Sequence, residues 1–288
     1  MIATDSLQQW VGREQQATDE VSRQAAQRVA ALLDWPARAW QRADPLPRCW
    51  YAALFAPVEP QARLGADGHP LKGDFLPPVP LPRRLLAGRR VSFHEPLRIG
   101  DEVKRISRIA GIESKQGRSG EMCFVTVRHE IAGPRGLAVV EEQNIVYRGE
   151  ARSPAAGEST AASKSSVVAD TQATGWSRTV VPDPALLFRY SAITFNAHRI
   201  HYDAAYARET EGYPERVVNG GLTTLLLWDL ATSASGREIR SSVTRNVKAL
   251  FINRAITLRG NVSGKLVQAQ ALDDTGEVAI DAQLELES

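Results

Sequence analysis

The amino-acid sequence predicts an α+β protein built from a duplicated unit, and three observations lead there. One run, "GGLTTLLLWDLATSA" from Gly220, is apolar around most of a helix's circumference through Leu222, Leu225, Leu226, Leu227, Trp228 and Leu230. Such a helix must be buried on nearly all sides, and a sheet is the natural wrapper. Short alternating runs separated by turn residues occur in two series, one in each half of the chain, and read as antiparallel meanders. The last strands of the two series also look alike. "GLAVVEEQNIV" from Gly136 and "GEVAIDAQLEL" from Gly276 share a turn glycine, apolar residues, an acidic residue (Glu141, Asp281) and a glutamine (Gln143, Gln283). A chain of 288 residues is long enough for two cores of ordinary size.

Taken in order, residues 6–34 carry Leu7, Trp10, Val11, Val21, Ala25, Val29, Leu32 and Leu33 at helical spacing, predicting a helix that "DWP" ends. From Pro45 to Pro82 the prolines are too dense for a long helix, so an extended segment lining something is expected. "RRVSFHEPL", "GDEVKRISRIAGIES", "EMCFVTVRHEIA" and "LAVVEEQNIVYR" form the first meander. Residues 150–175, rich in Ala, Ser, Thr and Gly, have little to bury and read as a linker. After the apolar helix come "SVTRNVKALFIN", "AITLRGNV", "KLVQAQAL" and "EVAIDAQLELE". The expected divisions are 1–150, a helical segment with a first unit; 151–175, a linker; and 176–288, a second unit.

Composition narrows the function. A formal net charge of +2 argues against nucleic acid or an anionic membrane surface as partner and favours a small molecule. Arginine supplies 29 of the 35 basic residues, so arginine clusters carry little weight as motifs. Cys49 and Cys123 are too few and too far apart for a disulfide framework or a zinc site. The N-terminus lacks the pattern of a targeting peptide, and no apolar run approaches the ~18 residues of a membrane span. A soluble, cytoplasmic protein is expected.

The most informative stretch is "FNAHRIHYD", residues 195–203, which holds His198 and His201, two of only five histidines, beside Asn196 and Asp203. It follows a β-like apolar run and leads into a helix-like one (Tyr202, Ala205, Tyr206, Glu209). His201 is therefore expected near a helix start, where the positive end of the dipole disfavours imidazolium and leaves a neutral ring able to accept a proton. Asn196 can turn its amide into the same space and hold a water against that ring. Two readings compete: a metal site of His198, His201 and Asp203, short of further ligands nearby, and a structural role for His198. Downstream, "YPERVVNGGL", residues 213–222, leads into the apolar helix. Gly220 and Gly221 would leave unpaired N–H groups suited to a carbonyl oxygen becoming an oxyanion. Alternatively, Asn219 is an ordinary N-cap and the glycines permit close packing.

"SAITFNAHRIHYD" followed by "EGYPERVVNGGL" resembles the MaoC-like hydratases, most closely the branch of hydroxyacyl-thioester dehydratase type 2 and the mesaconyl-CoA and itaconyl-CoA hydratases. "PLRIGDEVKRIS", "KQGRSGEMCFVTV" and "VVEEQNIVYR" in the first half resemble the same branch. The resemblance implies a double hotdog fold: two antiparallel sheets, each wrapped around a central helix, the N-terminal unit degenerate and the C-terminal one catalytic. Where the wider family has Asp-x-Asn-Pro-x-His, this chain has Asn196, His198, Arg199 and His201, and the family's His-Gly at the helix start is Asn219-Gly220. An amide cannot take a proton as a carboxylate can, so more of the proton transfer falls to His201.

The implied reaction adds water across a 2-enoyl-CoA thioester, itaconyl-CoA or mesaconyl-CoA, to give citramalyl-CoA or methylmalyl-CoA. His201 would deprotonate the water and return a proton to the α-carbon, Asn196 orient the water, and Gly220 and Gly221 receive the oxyanion. No metal or redox cofactor is needed, because coenzyme A arrives on the substrate. Lys115 and Arg118 of "KQGRSG" are the expected phosphate contacts, Tyr213 a further substrate contact, and Arg199 the partner of a free carboxylate. Pairing into a homodimer is compatible with the sequence. The alternatives are a hotdog thioesterase and a non-catalytic acyl-CoA binding subunit, the latter favoured by Asn196.

Overall fold

The computed structural model describes residues 4–117, 120–149 and 174–288. Ten strands make one antiparallel sheet. The first half contributes β1 (Glu14–Glu20), β2 (Arg83–Phe93), β3 (Glu102–Gly117), β4 (Gly120–Gly133) and β5 (Gly136–Arg148). The second contributes β6 (Thr174–Val180), β7 (Ile239–Asn246), β8 (Ile256–Ser263), β9 (Leu266–Leu272) and β10 (Val278–Leu286). Their spatial order is β1-β3-β4-β5-β2-β7-β10-β9-β8-β6. Each half follows the same path, so β5 and β10, the strands whose sequences look alike, hold equivalent places. Between β1 and β2 lies helix α2 (Arg23–Leu32), and between β6 and β7 lies α4 (Gly220–Ser235). The two expected sheets are continuous: β2 pairs with β7 from Gly88↔Arg245 to Ser92↔Ser241. At that seam a Cβ on Gly88 would lie 2.4 Å from the Thr244 carbonyl oxygen, so only glycine lets the strands close.

Residues 6–34 are not one helix, a correction to the periodicity reading. Helix α1 (Thr4–Gln8) is short, Gly12 turns the chain at φ +89°, and "EQQATDE" becomes β1, laddered along β3 from Glu14↔Arg108 to Glu20↔Glu102. Only Arg23–Leu32 is helical thereafter, started by Ser22, whose hydroxyl accepts from the Ala25 N–H at 3.1 Å.

The core centres on α4, buried on most sides as its composition requires. Leu222, Leu225, Leu226, Leu227, Trp228 and Ala231 pack against Leu258, Val267, Ala269, Ala271, Ile280, Ala282 and Leu284 of β8–β10. Full burial of a leucine such as Leu222 or Leu227 contributes about 1.5–3 kcal/mol. Ala26, Val29 and Leu32 of α2 join the same core. A tryptophan cluster (Trp35–Trp50 at 4.8 Å, Trp40–Trp50 at 5.5 Å) follows, and Trp35 Nε1 donates to Asp229 Oδ1 of α4 at 2.7 Å. A second, smaller core joins Leu7 and Val79 to Ile109, Ile112, Cys123, Val125, Val127 and Tyr147. There the proline-rich segment covers strands that the short α2 does not reach. That segment contains two short 3-10 turns, Arg48–Ala53 and Gln61–Arg63. No helix among the described residues is long and apolar enough to cross a membrane.

Candidate active site

The site is assembled from two loops and a helix start. The apolar run from Phe188, expected to be β-like, lies in helix α3 (Pro184–Thr194): Asp183 caps it by accepting from the Leu186 N–H at 2.7 Å, and Pro184 occupies its first turn. Phe195, left-handed at φ 48°, ends it. The chain then makes a single 3-10 turn, Arg199–His201, followed by a π-type turn at Tyr206–Thr210. His201 thus closes a turn rather than opening a helix, and burial, not a helix dipole, keeps its ring neutral. Its pKa falls to about 4 through loss of solvent, a hydrogen bond to Val217 only partly opposing this. His201 Nδ1 lies 2.7 Å from the Val217 carbonyl oxygen. A carbonyl can only accept, so Nδ1 carries the proton and Nε2 keeps its lone pair.

His201 lines a cavity of about 2770 Å³ together with Asn196, Tyr213, Gly220 and Gly221. Asn196 Oδ1 accepts from the His198 N–H at 3.0 Å, which leaves its NH₂ group for a ligand. In α4 the first backbone bond runs from the Thr223 N–H to the Asn219 carbonyl at 3.2 Å, so the N–H groups of Gly220 and Gly221 have no acceptor within the helix. A Cβ on Gly221 would sit 2.2 Å from the Tyr190 hydroxyl oxygen. Asn219 stands at the N-cap position but makes no capping bond; it is 2 % exposed, and both polar atoms of its amide lack a partner among the described residues.

Other expected contacts lie elsewhere. Arg199 does not line the cavity. Its guanidinium donates to Asp203 Oδ2 at 2.6 and 3.1 Å and to the Ala66 carbonyl at 3.1 Å, and it stacks over Tyr206 at 4.3 Å. Asp203 is thereby committed, which dissolves the His198–His201–Asp203 metal reading. Lys115 does not line the cavity; it is exposed, 3.0 Å from Glu113, with its ammonium 5.2 Å from the ring of Phe124, which does line it. Arg118 lies outside the described residues.

The first half supplies what sequence reasoning missed. Arg89 of β2, paired with Glu141 at 3.2 Å, lines the cavity, and from α3 of the second half so does Tyr190, its hydroxyl pKa pushed up to about 12 by burial. The loop around Gly68 packs onto 197–199: Asp67 O accepts from the Arg199 N–H at 2.9 Å, and a Cβ on Gly68 (φ +86°) would lie 1.9 Å from the Ala197 oxygen. His69 Nδ1 lies 2.9 Å from Asp67 Oδ2. The His69 ring is 4.1 Å from that of His198, which is 5.4 Å from that of His201. Ligand-type atoms of Asp67, His69 and His198 gather within 4.8 Å. With the Asp67 oxygen already holding His69 Nδ1, they form a hydrogen-bonded pair against a third ring rather than an open ligand set. The only sequence signal for this loop was "GADGHP", which reads as a plain turn.

Residues 50–252 match the family described as hydroxyacyl-thioester dehydratase type 2. The chain belongs to that family. A mesaconyl-C(4)-CoA hydratase of Chloroflexus aurantiacus is 42% identical over 277 residues, 96% of each chain. A solved MaoC-like dehydratase superposes with a TM-score of 0.72 at 14% identity, covering 96% of this chain and 98% of that one. A Mycobacterium tuberculosis protein described as a double hotdog superposes with a TM-score of 0.57 at 12% identity, covering 96% of each. These likenesses agree with the doubled strand order, and the fold is a double hotdog. As a hydroxyacyl-thioester dehydratase the protein is a hydro-lyase, an enzyme that makes or breaks a carbon–oxygen bond by moving water.

Buried neutral histidines give this dehydratase an acid-sensitive fold. An unfolded histidine titrates near pH ~6.5, whereas folded His201 and His129 protonate only at about 4. Between those values the unfolded chain binds more protons, so stability present above pH ~6.5 is lost as the pH falls, about 2 kcal/mol per histidine by pH 5. The thermal midpoint is expected to drop between pH 7 and 5, and His129→Gln to lessen the drop, as read by thermal denaturation across that range.

Proposed function

We propose that the protein adds water across the double bond of a short, branched C5 dicarboxylic enoyl-CoA, itaconyl-CoA or mesaconyl-CoA, giving citramalyl-CoA or methylmalyl-CoA; of the two, mesaconyl-CoA is the 2-enoyl thioester, and the steps are those of its hydration. The observation that carries this reading is that His201 and the unpaired N–H groups of Gly220 and Gly221 line one cavity. The 42% identity to a mesaconyl-C(4)-CoA hydratase supports the choice of acyl group. The thioester oxygen accepts from the two glycine N–H groups, and negative charge collects there as water attacks the β-carbon. Loss of one such donor typically costs ~2.7–4 kcal/mol. His201 Nε2 takes the proton of the attacking water, a role worth on the order of 10²–10⁴-fold. The Asn196 amide orients that water. With Arg199 committed to Asp203, the free carboxylate is assigned to Arg84, which lines the cavity and whose charge is felt at Asp67, His69 and His198.

Asn219 completes the binding wall. A buried, unsatisfied amide costs about 1–3 kcal/mol, a cost that substrate contact would relieve. Asn219→Leu is therefore expected to keep or raise the thermal midpoint while lowering kcat/KM by about tenfold, the loss of roughly one hydrogen bond. Melting curves and steady-state kinetics on the same preparation check both halves of that expectation.

The test of function is a panel of enoyl-CoA and 3-hydroxyacyl-CoA thioesters, followed by loss or gain of the conjugated double bond and, in parallel, by a thiol reagent for free coenzyme A. Itaconyl-CoA and mesaconyl-CoA should be hydrated without release of coenzyme A, faster than straight-chain enoyl-CoA. Release of coenzyme A with the double bond intact would make the protein a thioesterase, and tight binding without turnover would make it a binding subunit.

A further inference from the structure

Hydration of an enoyl thioester moves two protons, one off water and one onto the α-carbon. His201 serves one of them, and the Asn196 amide can serve neither. Resting on the hydratase reading, we propose that Asp67 and His69, on a loop of the first half that brings His69 to the cavity wall with Asp67 behind it, form a second proton-transfer pair: His69 handles the α-carbon proton while His201 handles the water.

The geometry is built for it. His69 lines the same cavity as His201, with the His198 ring between them at 4.1 and 5.4 Å. Asp67 Oδ2, 2.9 Å from His69 Nδ1, fixes the proton on Nδ1 and frees Nε2 as a base. The charged and titratable groups facing His69 are Asp67, Arg84, Glu211 and His198. Burial lowers the His69 pKa and Arg84 adds to this, but the Asp67 and Glu211 carboxylates oppose both, whereas the buried His201 ring has only a carbonyl partner to do so. His69 is thus the better holder of a proton taken from carbon. The loop is also fixed in place: Arg199 holds Asp67 O and Ala66 O, and the Gly68 contact with Ala197 admits no side chain. Arg199 is a clamp on this loop, not a substrate contact.

In the dehydration direction His69 Nε2 takes the α-proton, and the C–H electron pair passes into the thioester, whose oxygen is held at Gly220 and Gly221. For this direction the enzyme carries one proton more than the neutral form, on His201 Nε2; the β-carbon–oxygen bond breaks, the departing hydroxide takes that proton, and water leaves with His201 neutral and His69 protonated. Before the next dehydration His69 releases its proton to solvent in the cavity and His201 takes one up from it. Hydration is the reverse.

The test is exchange of the α-proton of the hydroxyacyl-CoA in D₂O, followed by NMR alongside turnover. In His201→Ala dehydration should fail while α-exchange persists. In His69→Gln exchange should be lost and kcat fall about 10²-fold, with KM within about twofold. Asp67 acts as a positioning residue: Asp67→Asn should lower kcat and shift the pH profile, and Asp67→Glu should restore part of both, with thermal midpoints reporting that each variant is folded. His69→Gln with full turnover and exchange would overturn the proposal and leave the hydratase reading standing. Exchange lost in His201→Ala but kept in His69→Gln would overturn it too. So would loss of turnover to a chelator with recovery on added zinc, which would make the trio a metal site. A wild-type protein that turns over no enoyl thioester would end both readings together.

Discussion

His201→Ala is expected to lower hydration of itaconyl-CoA or mesaconyl-CoA by about 10²–10⁴-fold while the protein stays folded at pH 7. The ring's one hydrogen bond is to the Val217 carbonyl, and the substitution opens that oxygen to a cavity large enough for water. The structural cost is therefore small beside the kinetic one. Kinetics should show the loss in kcat more than in KM, because the ring acts on the reacting water rather than on the bound thioester. Wild-type turnover in this variant would remove His201 from the chemistry.

Gly221→Ala tests the other wall of the site. The added methyl would lie 2.2 Å from the Tyr190 hydroxyl oxygen and 3.3 Å from its Cζ, so either the tyrosine or the start of α4 must move. Overpacking of this kind costs about 1–3 kcal/mol, and a displaced N–H donor lowers kcat by about 10²–10³. Tyr190→Phe removes the atom in closest conflict, so the double variant should regain stability beyond the sum of the single changes, a coupling read in a double-mutant cycle. Gly221→Ala with unchanged stability and rate would mean that neither Tyr190 nor the N–H position matters there.

How much was legible follows from where each signal sits in the chain. Helix α4 could be read because so many of its residues are apolar, and the matching of β5 with β10 because both alternate strongly. His201, Asn196, Gly220, Gly221 and Tyr213 come together at the cavity because two neighbouring loops and a helix start carry them. The 6–34 helix failed because β1 is a polar edge strand with little alternation to betray it: "EQQATDE" is held by its ladder to β3, not by a buried face. Helix α3 was hidden by Phe188, Tyr190, Ile193 and Thr194, residues of strand preference that tertiary packing overrides. Arg199 was assigned to a substrate because charge alone does not reveal that Asp203, one turn on, already holds it. Asp67 and His69 were invisible as a pair with the site, since about 130 residues of chain separate them from His198 and only folding brings them near.

The β2–β7 ladder has a mechanical consequence. An enzyme whose cavity lies between two units joined by a flexible tether can admit a bulky ligand by swinging them apart. Here a run of interstrand hydrogen bonds rivets one half to the other, and prying them open would mean tearing a sheet through its middle. Entry of the acyl chain and departure of product must be accomplished by the surrounding loops alone, with the relative placement of the histidines from both halves held constant throughout turnover.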